Sequence, residues 1–170
     1  MSESAALLIN LGSPESTSVA DVKSYLREFL TDPRVIDKKF VRQFVVPGII
    51  LQTRPRKSAE AYESIWTEDG SPLIKVSEKQ RSLTAKEVDL PVYLAMRYAQ
   101  PSIPSILRRM AEDGIRNVFV LPLYPQYAMS SYETVVVAVT DALKEEGLDL
   151  DLDFLQPFYN DTDYLDILTQ

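Results

Sequence analysis

The stretch that most constrains the fold is Ala5–Leu11, reading AALLINL. Its apolar side chains fall on both faces of an extended chain. Such a strand needs cover on both sides, as in a parallel sheet flanked by helices. The remaining chain supplies those helices at regular intervals. Ser18 is the predicted N-cap of a first helix, with Asp21 three residues on and Val19, Val22, Leu26, Phe29 and Leu30 as its apolar stripe. Asp32-Pro33 stops it. Pro91–Met96 reads as a strand, and Ser102–Asp113 as a helix with Ile103, Ile106, Leu107 and Met110 on one side, ended at Gly114. Asn117–Leu121 is a strand of alternating branched and aromatic residues, closed by Pro122. Ser131–Lys144 is a valine-rich helix ending near Gly147. Leu148–Leu155 is a more polar strand suited to a sheet edge, and Thr162–Leu168 opens another helix. This βαβα order predicts an α/β fold: one open parallel sheet, helices on both faces, right-handed crossovers. The 170 residues suit a single domain spanning 1–170.

Composition removes whole classes of chemistry. The net charge of −7 argues against a nucleic-acid partner, which needs a basic face. The chain has no cysteine, so disulfides, thiolate metal sites and iron–sulfur clusters are excluded. It has no histidine either, which removes conventional zinc sites, histidine triads and an imidazole general base. No metal site and no catalytic residue is predicted within the chain. Met1–Ser4 carries Glu3 and no basic start, and the apolar run after it meets Gly12 at once, unlike a secretory signal. The longest apolar stretch elsewhere, Phe44–Leu51, is too short to span a bilayer. A cytoplasmic protein is expected.

One segment stays ambiguous. Val35–Leu51 holds Val35, Ile36, Phe40, Val41, Phe44, Val45 and Val46, then a Pro47-Gly48 break, then Ile49, Ile50 and Leu51. It reads either as two short core helices or as an exposed apolar flap that touches a ligand or a membrane surface. Thr53–Trp66 reads as a helix whose basic start, Arg54, Arg56 and Lys57, is a solvated face. Glu68–Pro72 is a turn, and Ser77-Glu78-Lys79-Gln80 has a capping-box pattern that predicts a helix from Ser77 through Glu87.

Ligands of open parallel sheets bind beyond the carboxyl ends of the strands. Three strand ends carry unusual residues: Asn10–Pro14, Met96–Pro101, and Leu123–Ser131. Together they offer tyrosines, small residues and one arginine. Arg97 reads either as a clamp on loop groups or as a fork for a carboxylate or phosphate. Tyr124, Gln126, Tyr127, Met129, Ser130 and Ser131 read either as a packed surface turn or as the floor of a pocket for something flat. No nucleophile–base pair is present. NLGSPE lacks the spacing of a phosphate loop. A large planar acid suits these groups better than a sugar. A flavodoxin-like flavin or nucleotide binder, or a tetrapyrrole carrier without chemistry, is the alternative.

The segments LLINLGSPES, DVKSYLREFLTDPRVI, GSPL, MRYAQP and LPLYPQYAMSSYET occur in this order along the chain. In that order they resemble the ferrochelatase family, which inserts ferrous iron into a porphyrin in heme biosynthesis. The resemblance covers nearly the whole chain but corresponds to about the first half of a family member. It implies a Rossmann-like, chelatase-type domain that is N-terminal in the whole protein, with porphyrin and ferrous iron as substrates and no tightly bound cofactor. It implies that Leu11 lies beside the macrocycle, that Arg97 and Tyr98 line the inner pocket, and that Arg54 faces a propionate at the rim. Ser71 would lie near the cleft, with Tyr127 and Ser130 bordering the ring. Val35–Leu51 would be a lip over the cleft that meets a membrane peripherally. The family's essential histidine and its partner glutamate belong to a C-terminal catalytic domain absent from this chain, so the chain alone is expected to be inactive. A homodimer would cover the exposed cleft face.

Overall fold

The computed structural model describes residues 3–169. Met1 and Ser2, part of the signal reading above, and Gln170, the last residue of the expected domain, lie outside the described residues. Four strands form one all-parallel sheet: β1 (Ser4–Asn10), β2 (Val92–Met96), β3 (Asn117–Pro122) and β4 (Asp151–Phe154), in the spatial order β2-β1-β3-β4. β1 sits at the centre, with Leu7 opposite Tyr93 on one side and Val120 on the other. Its Ala5–Ile9 run is buried throughout, as its two-faced apolar pattern requires.

The two sheet faces are covered unequally. On one, Leu7, Ile9, Ala95, Val118 and Val120 pack against α4 (Ile103–Glu112) and α5 (Thr134–Glu146). On the other, Ala6, Leu8, Leu94 and Met96 lie under Leu73 and Ile74 of α3 (Pro72–Glu87). That cover stops short of the β3–β4 half, where Phe119 is 41% exposed and Leu155 45%. Alternation along β3 is therefore real, but its aromatic member faces outward. Among the described residues β4 pairs only with β3, an edge position as its polarity predicts.

α1 (Val19–Thr31) starts as expected, with the Ser18 hydroxyl accepting the Asp21 N–H at 3.1 Å. Its buried face is Val22, Tyr25, Leu26 and Leu30, whereas Val19 is exposed. α3 begins earlier than the capping-box pattern predicts. Pro72 takes the first-turn position, where its missing N–H costs nothing. Ser77 is instead a fully buried mid-helix residue whose hydroxyl donates to the Leu73 carbonyl at 2.8 Å.

The Pro47-Gly48 pair does not break the chain into two helices. Val41–Ile50 winds as a widened π-helical stretch that runs directly into α2 (Leu51–Ile65). Widening the turn accommodates a proline that an α-helical ladder would not. Val46 and Leu51 bury against α1, while Phe40, Phe44 and Ile49 point to solvent. Residues 39–51 of the segment are thus one helix with an apolar outer face, while residues 35–38 lie outside it. α6 (Thr162–Thr169) closes the described chain with no buried residue. Among the described residues, no helix is long and apolar enough to cross a membrane.

Candidate functional site

The site is built from the carboxyl ends of β1, β2 and β3. At the first, the Asn10 side chain accepts the Leu11 N–H at 2.8 Å and donates to the Ser77 hydroxyl at 3.0 Å, tying the strand end to α3. Gly12 follows with φ +100°, and a Cβ there would lie 1.9 Å from the Tyr98 carbonyl oxygen. The second strand end crosses directly over the first, and only glycine leaves room. The Tyr25 hydroxyl donates to the Gly12 carbonyl at 3.3 Å and holds the turn against α1.

Beside this turn lies a hollow of about 360 Å³. Leu11, Tyr25 and Phe29 form one side, and Arg54, Tyr62 and Ile65 of α2 form the other. Tyr25 lies parallel to Phe29, with ring centres 6.2 Å apart, and meets Tyr62 edge-on at 6.3 Å. Burial pushes the Tyr25 and Tyr62 phenols up, so both stay neutral. Arg54 is exposed at the rim. Across the Ser13–Glu15 turn is a second hollow of about 350 Å³, lined by Ser13, Trp66, Ser71 and Lys75 among others. Ser71 is buried at the start of α3 and makes no capping bond with its hydroxyl.

Arg97 and Tyr98 lie behind this surface rather than in it. The Arg97 guanidinium donates to the Asp32 carboxylate and to the Thr134 hydroxyl and carbonyl, the last two at 2.7 and 3.1 Å. It also sits 4.3 Å above the Tyr98 ring. Arg97 is therefore a clamp whose charge is already met. Tyr98 is fully buried, and its hydroxyl donates to Asp32 at 3.0 Å. Burial pushes its phenol up to about 12. The ring meets Phe29 edge-on at 5.2 Å and Tyr25 at 6.4 Å, so it supports the floor of the first hollow. Burial would raise the Asp32 carboxyl, but bonds from Thr134 and the Arg34 N–H, the Arg97 charge and the Tyr98 bond outweigh it and hold the group below its ordinary value.

At the third strand end, Tyr127 and Ser130 are exposed, with Ser130 on a π-helical turn, Met129–Glu133, that leads into α5. The Tyr127 hydroxyl donates to Glu133 at 2.5 Å, a bond that raises its pKa, and Glu133 reaches Arg34 at 3.5 Å. Among the described residues, the buried Tyr124 hydroxyl finds no hydrogen-bond partner. Among the described residues, no cluster of three or more carboxylates is placed to hold a metal ion.

Residues 3–170 match the ferrochelatase family model. The chain belongs to the ferrochelatase family. It is 50% identical over 169 residues to a ferrochelatase of Pseudomonas fluorescens (strain SBW25), covering 99% of this chain and 50% of that protein. A ferrochelatase of Opitutus terrae is 49% identical over 172 residues, and one of Stutzerimonas stutzeri 48% over 169, with the same shares covered. The chain thus spans about half the length of the curated relatives it matches.

Within this ferrochelatase-family domain, the structure brings Leu11 and Arg54 to one hollow and Arg97 and Tyr98 to one buried cluster. Ser71 stands across the first turn, and Tyr127 and Ser130 occupy the third loop. Sequence reasoning misses Tyr25, Asp32 and Thr134. Tyr25 is legible as the i+3 neighbour of Val22 on the α1 stripe. Asp32 reads in the sequence only as a helix stop, because its side-chain partners lie 65 to 102 residues away. The flavin or nucleotide alternative finds no support. The glycine that would let a phosphate approach is filled by the Tyr98 carbonyl, and the start of α1 is capped by its own Ser18.

Proposed function

We propose that this chain is the N-terminal domain of a ferrochelatase, one wall of a cleft that holds a porphyrin while ferrous iron is inserted in heme biosynthesis. The observation that carries the reading is the pairing of Leu11 and Arg54 across one aromatic-floored hollow at the strand ends. A porphyrin dicarboxylate is a broad apolar disc with acids on one edge. Leu11, Tyr25 and Phe29 suit the disc, and Arg54 at the rim suits a propionate, which a guanidinium can grip with two parallel bonds. Ser71 lies near enough to the first turn to serve a second polar contact, and Tyr127 and Ser130 border the macrocycle from the third loop. Arg97 and Tyr98 act from behind, as supports. A hollow of about 360 Å³ holds only part of such a disc, and the relatives' doubled length supports a facing wall from a C-terminal domain.

Inserting the metal displaces two pyrrole protons, which need a base that works near neutral pH. The chain has no histidine, and the phenols at the hollow are pushed up rather than down. In this reading the chain by itself binds porphyrin but inserts iron no faster than solution does. Any insertion above that background by residues 1–170 alone refutes this part. Phe40, Phe44 and Ile49 form an outward apolar face on the helix beside the cleft, which suits peripheral contact with a membrane surface. The uncovered Phe119 and Leu155 favour self-association when nothing else covers them.

A visible absorbance titration tests the main reading. A porphyrin dicarboxylate should shift its Soret band on binding, a flavin should give no response, and Arg54→Ala should weaken the porphyrin. No response to porphyrin overturns the proposal.

A further inference from the structure

We propose that Asp32 is a positioning residue for the porphyrin wall, and that the turn leaving α1 braces the second and third strand-end loops against the first. The proposal rests on the porphyrin reading above. Asp32 is only 6% exposed, yet its carboxylate gathers groups from two distant elements and from its own turn. One oxygen accepts Arg97 and Tyr98, which follow β2, and the Thr134 hydroxyl at 2.5 Å, which opens α5. The other accepts the Arg34 N–H at 2.7 Å and so fixes the turn itself. Two residues on, Arg34 meets Glu133, and Glu133 receives the Tyr127 hydroxyl. The Asp32–Arg34 turn therefore grips residues 97 and 98 on one side and 133 and 134 on the other.

The consequence is geometric. The β3–α5 loop is held at its start by the Leu123 N–H on the Ile9 carbonyl, at 2.8 Å, and at its end by Thr134. Thr134 thereby sets where Tyr127 stands relative to Leu11. Asp32 also sets the tilt of Tyr98, on whose ring Phe29 and Tyr25 rest edge-on. A buried carboxylate–guanidinium pair adds little net stability over well-packed apolar groups of the same volume. Its directional bonds specify orientation, which apolar contacts do not. An acid here therefore serves the alignment of the wall more than the stability of the fold.

The test compares Thr134→Ser, Thr134→Val and Asp32→Asn with the unaltered protein, each in the full-length enzyme. Readouts are the porphyrin dissociation constant from Soret titration, the split between KM and kcat for iron insertion, and the melting temperature. Thr134→Ser keeps the hydroxyl and should keep the affinity. Thr134→Val and Asp32→Asn should each weaken porphyrin on the order of tenfold. They should raise KM more than they lower kcat, at a temperature where their circular dichroism is native. Folded variants with native dissociation constants and only lowered melting temperatures overturn the proposal, since the cluster would then hold the fold alone. Failure of both Thr134→Val and Asp32→Asn to fold overturns it for the same reason. Absence of any porphyrin response in the unaltered protein instead removes the porphyrin reading, and this proposal with it.

Discussion

The Asp32 cluster and the helical lip at Val41–Ile50 invert the usual division of side chains in opposite ways. The first buries a carboxylate and a guanidinium, with side chains only 3% and 18% exposed. The second leaves Phe40, Phe44 and Ile49 at 60% exposure or more. Both touch α1, yet they obey different requirements. The buried charges are tolerated because the Asp32 carboxylate meets the Arg97 guanidinium directly and also accepts from Thr134 and Tyr98, so their removal one at a time is costly. The exposed rings lose nothing within the chain when trimmed, because they pack on little besides each other, at 5.2 Å between the Phe40 and Phe44 rings. A broken partition rule thus has a structural reason inside the molecule at one place and none among the described residues at the other.

The hardest test of this contrast is Arg97→Gln. It strands the Asp32 carboxylate in the interior and should cost roughly 3–5 kcal/mol in urea unfolding. A loss under about 1 kcal/mol would mean the cluster is wetter than its burial implies. Replacing both partners, as Asp32→Leu with Arg97→Met, should recover most of that loss, to within about 2 kcal/mol of the starting protein. A double variant as unstable as the single one would show that the charges themselves hold the fold.

Acid titration sharpens the same side of the contrast. The folded-state pKa of Asp32 is lowered, so its contribution is fully present above the ordinary carboxylate range and is lost as pH falls through the folded value. Stability should be flat in this respect from neutral pH down to about 5 and fall below about 4. Asp32→Asn should flatten that acid limb, and an unchanged limb would assign it to other carboxylates. The smallest stability effect belongs to the lip. Phe40→Ser with Phe44→Ser should move unfolding by no more than about 0.5 kcal/mol per site while reducing co-sedimentation with lipid vesicles. A large destabilisation would place these rings in the core after all.

Local chemistry makes much of the fold legible. The apolar run at Ala5–Leu11, the Ser18 cap, the helix stop at Gly114 and the polar edge strand all read correctly, because each depends on neighbours within a few residues. The start of the helix at Pro72–Glu87 misreads for an equally local reason. Ser77-Glu78-Lys79-Gln80 looks like a cap, but Pro72 has already started the helix, and Ser77 is needed for the Asn10 side chain 67 residues away. The lip misreads as a break because proline and glycine stop an α-helix, whereas a wider helix absorbs them.

By itself the sequence determined the layer order, the parallel sheet, the absence of imidazole and thiolate chemistry, and the three loops from which a site could be made. These follow from hydrophobic period, turn residues and composition, which act over short stretches of chain. Only the tertiary structure decided that Arg97 is spent on Asp32 while Arg54 faces solvent, and that Tyr98 supports a floor made by Tyr25 and Phe29. The physical reason is that a charge's role depends on which partner reaches it first, and here the partners of Arg97 are 65 and 37 residues away along the chain.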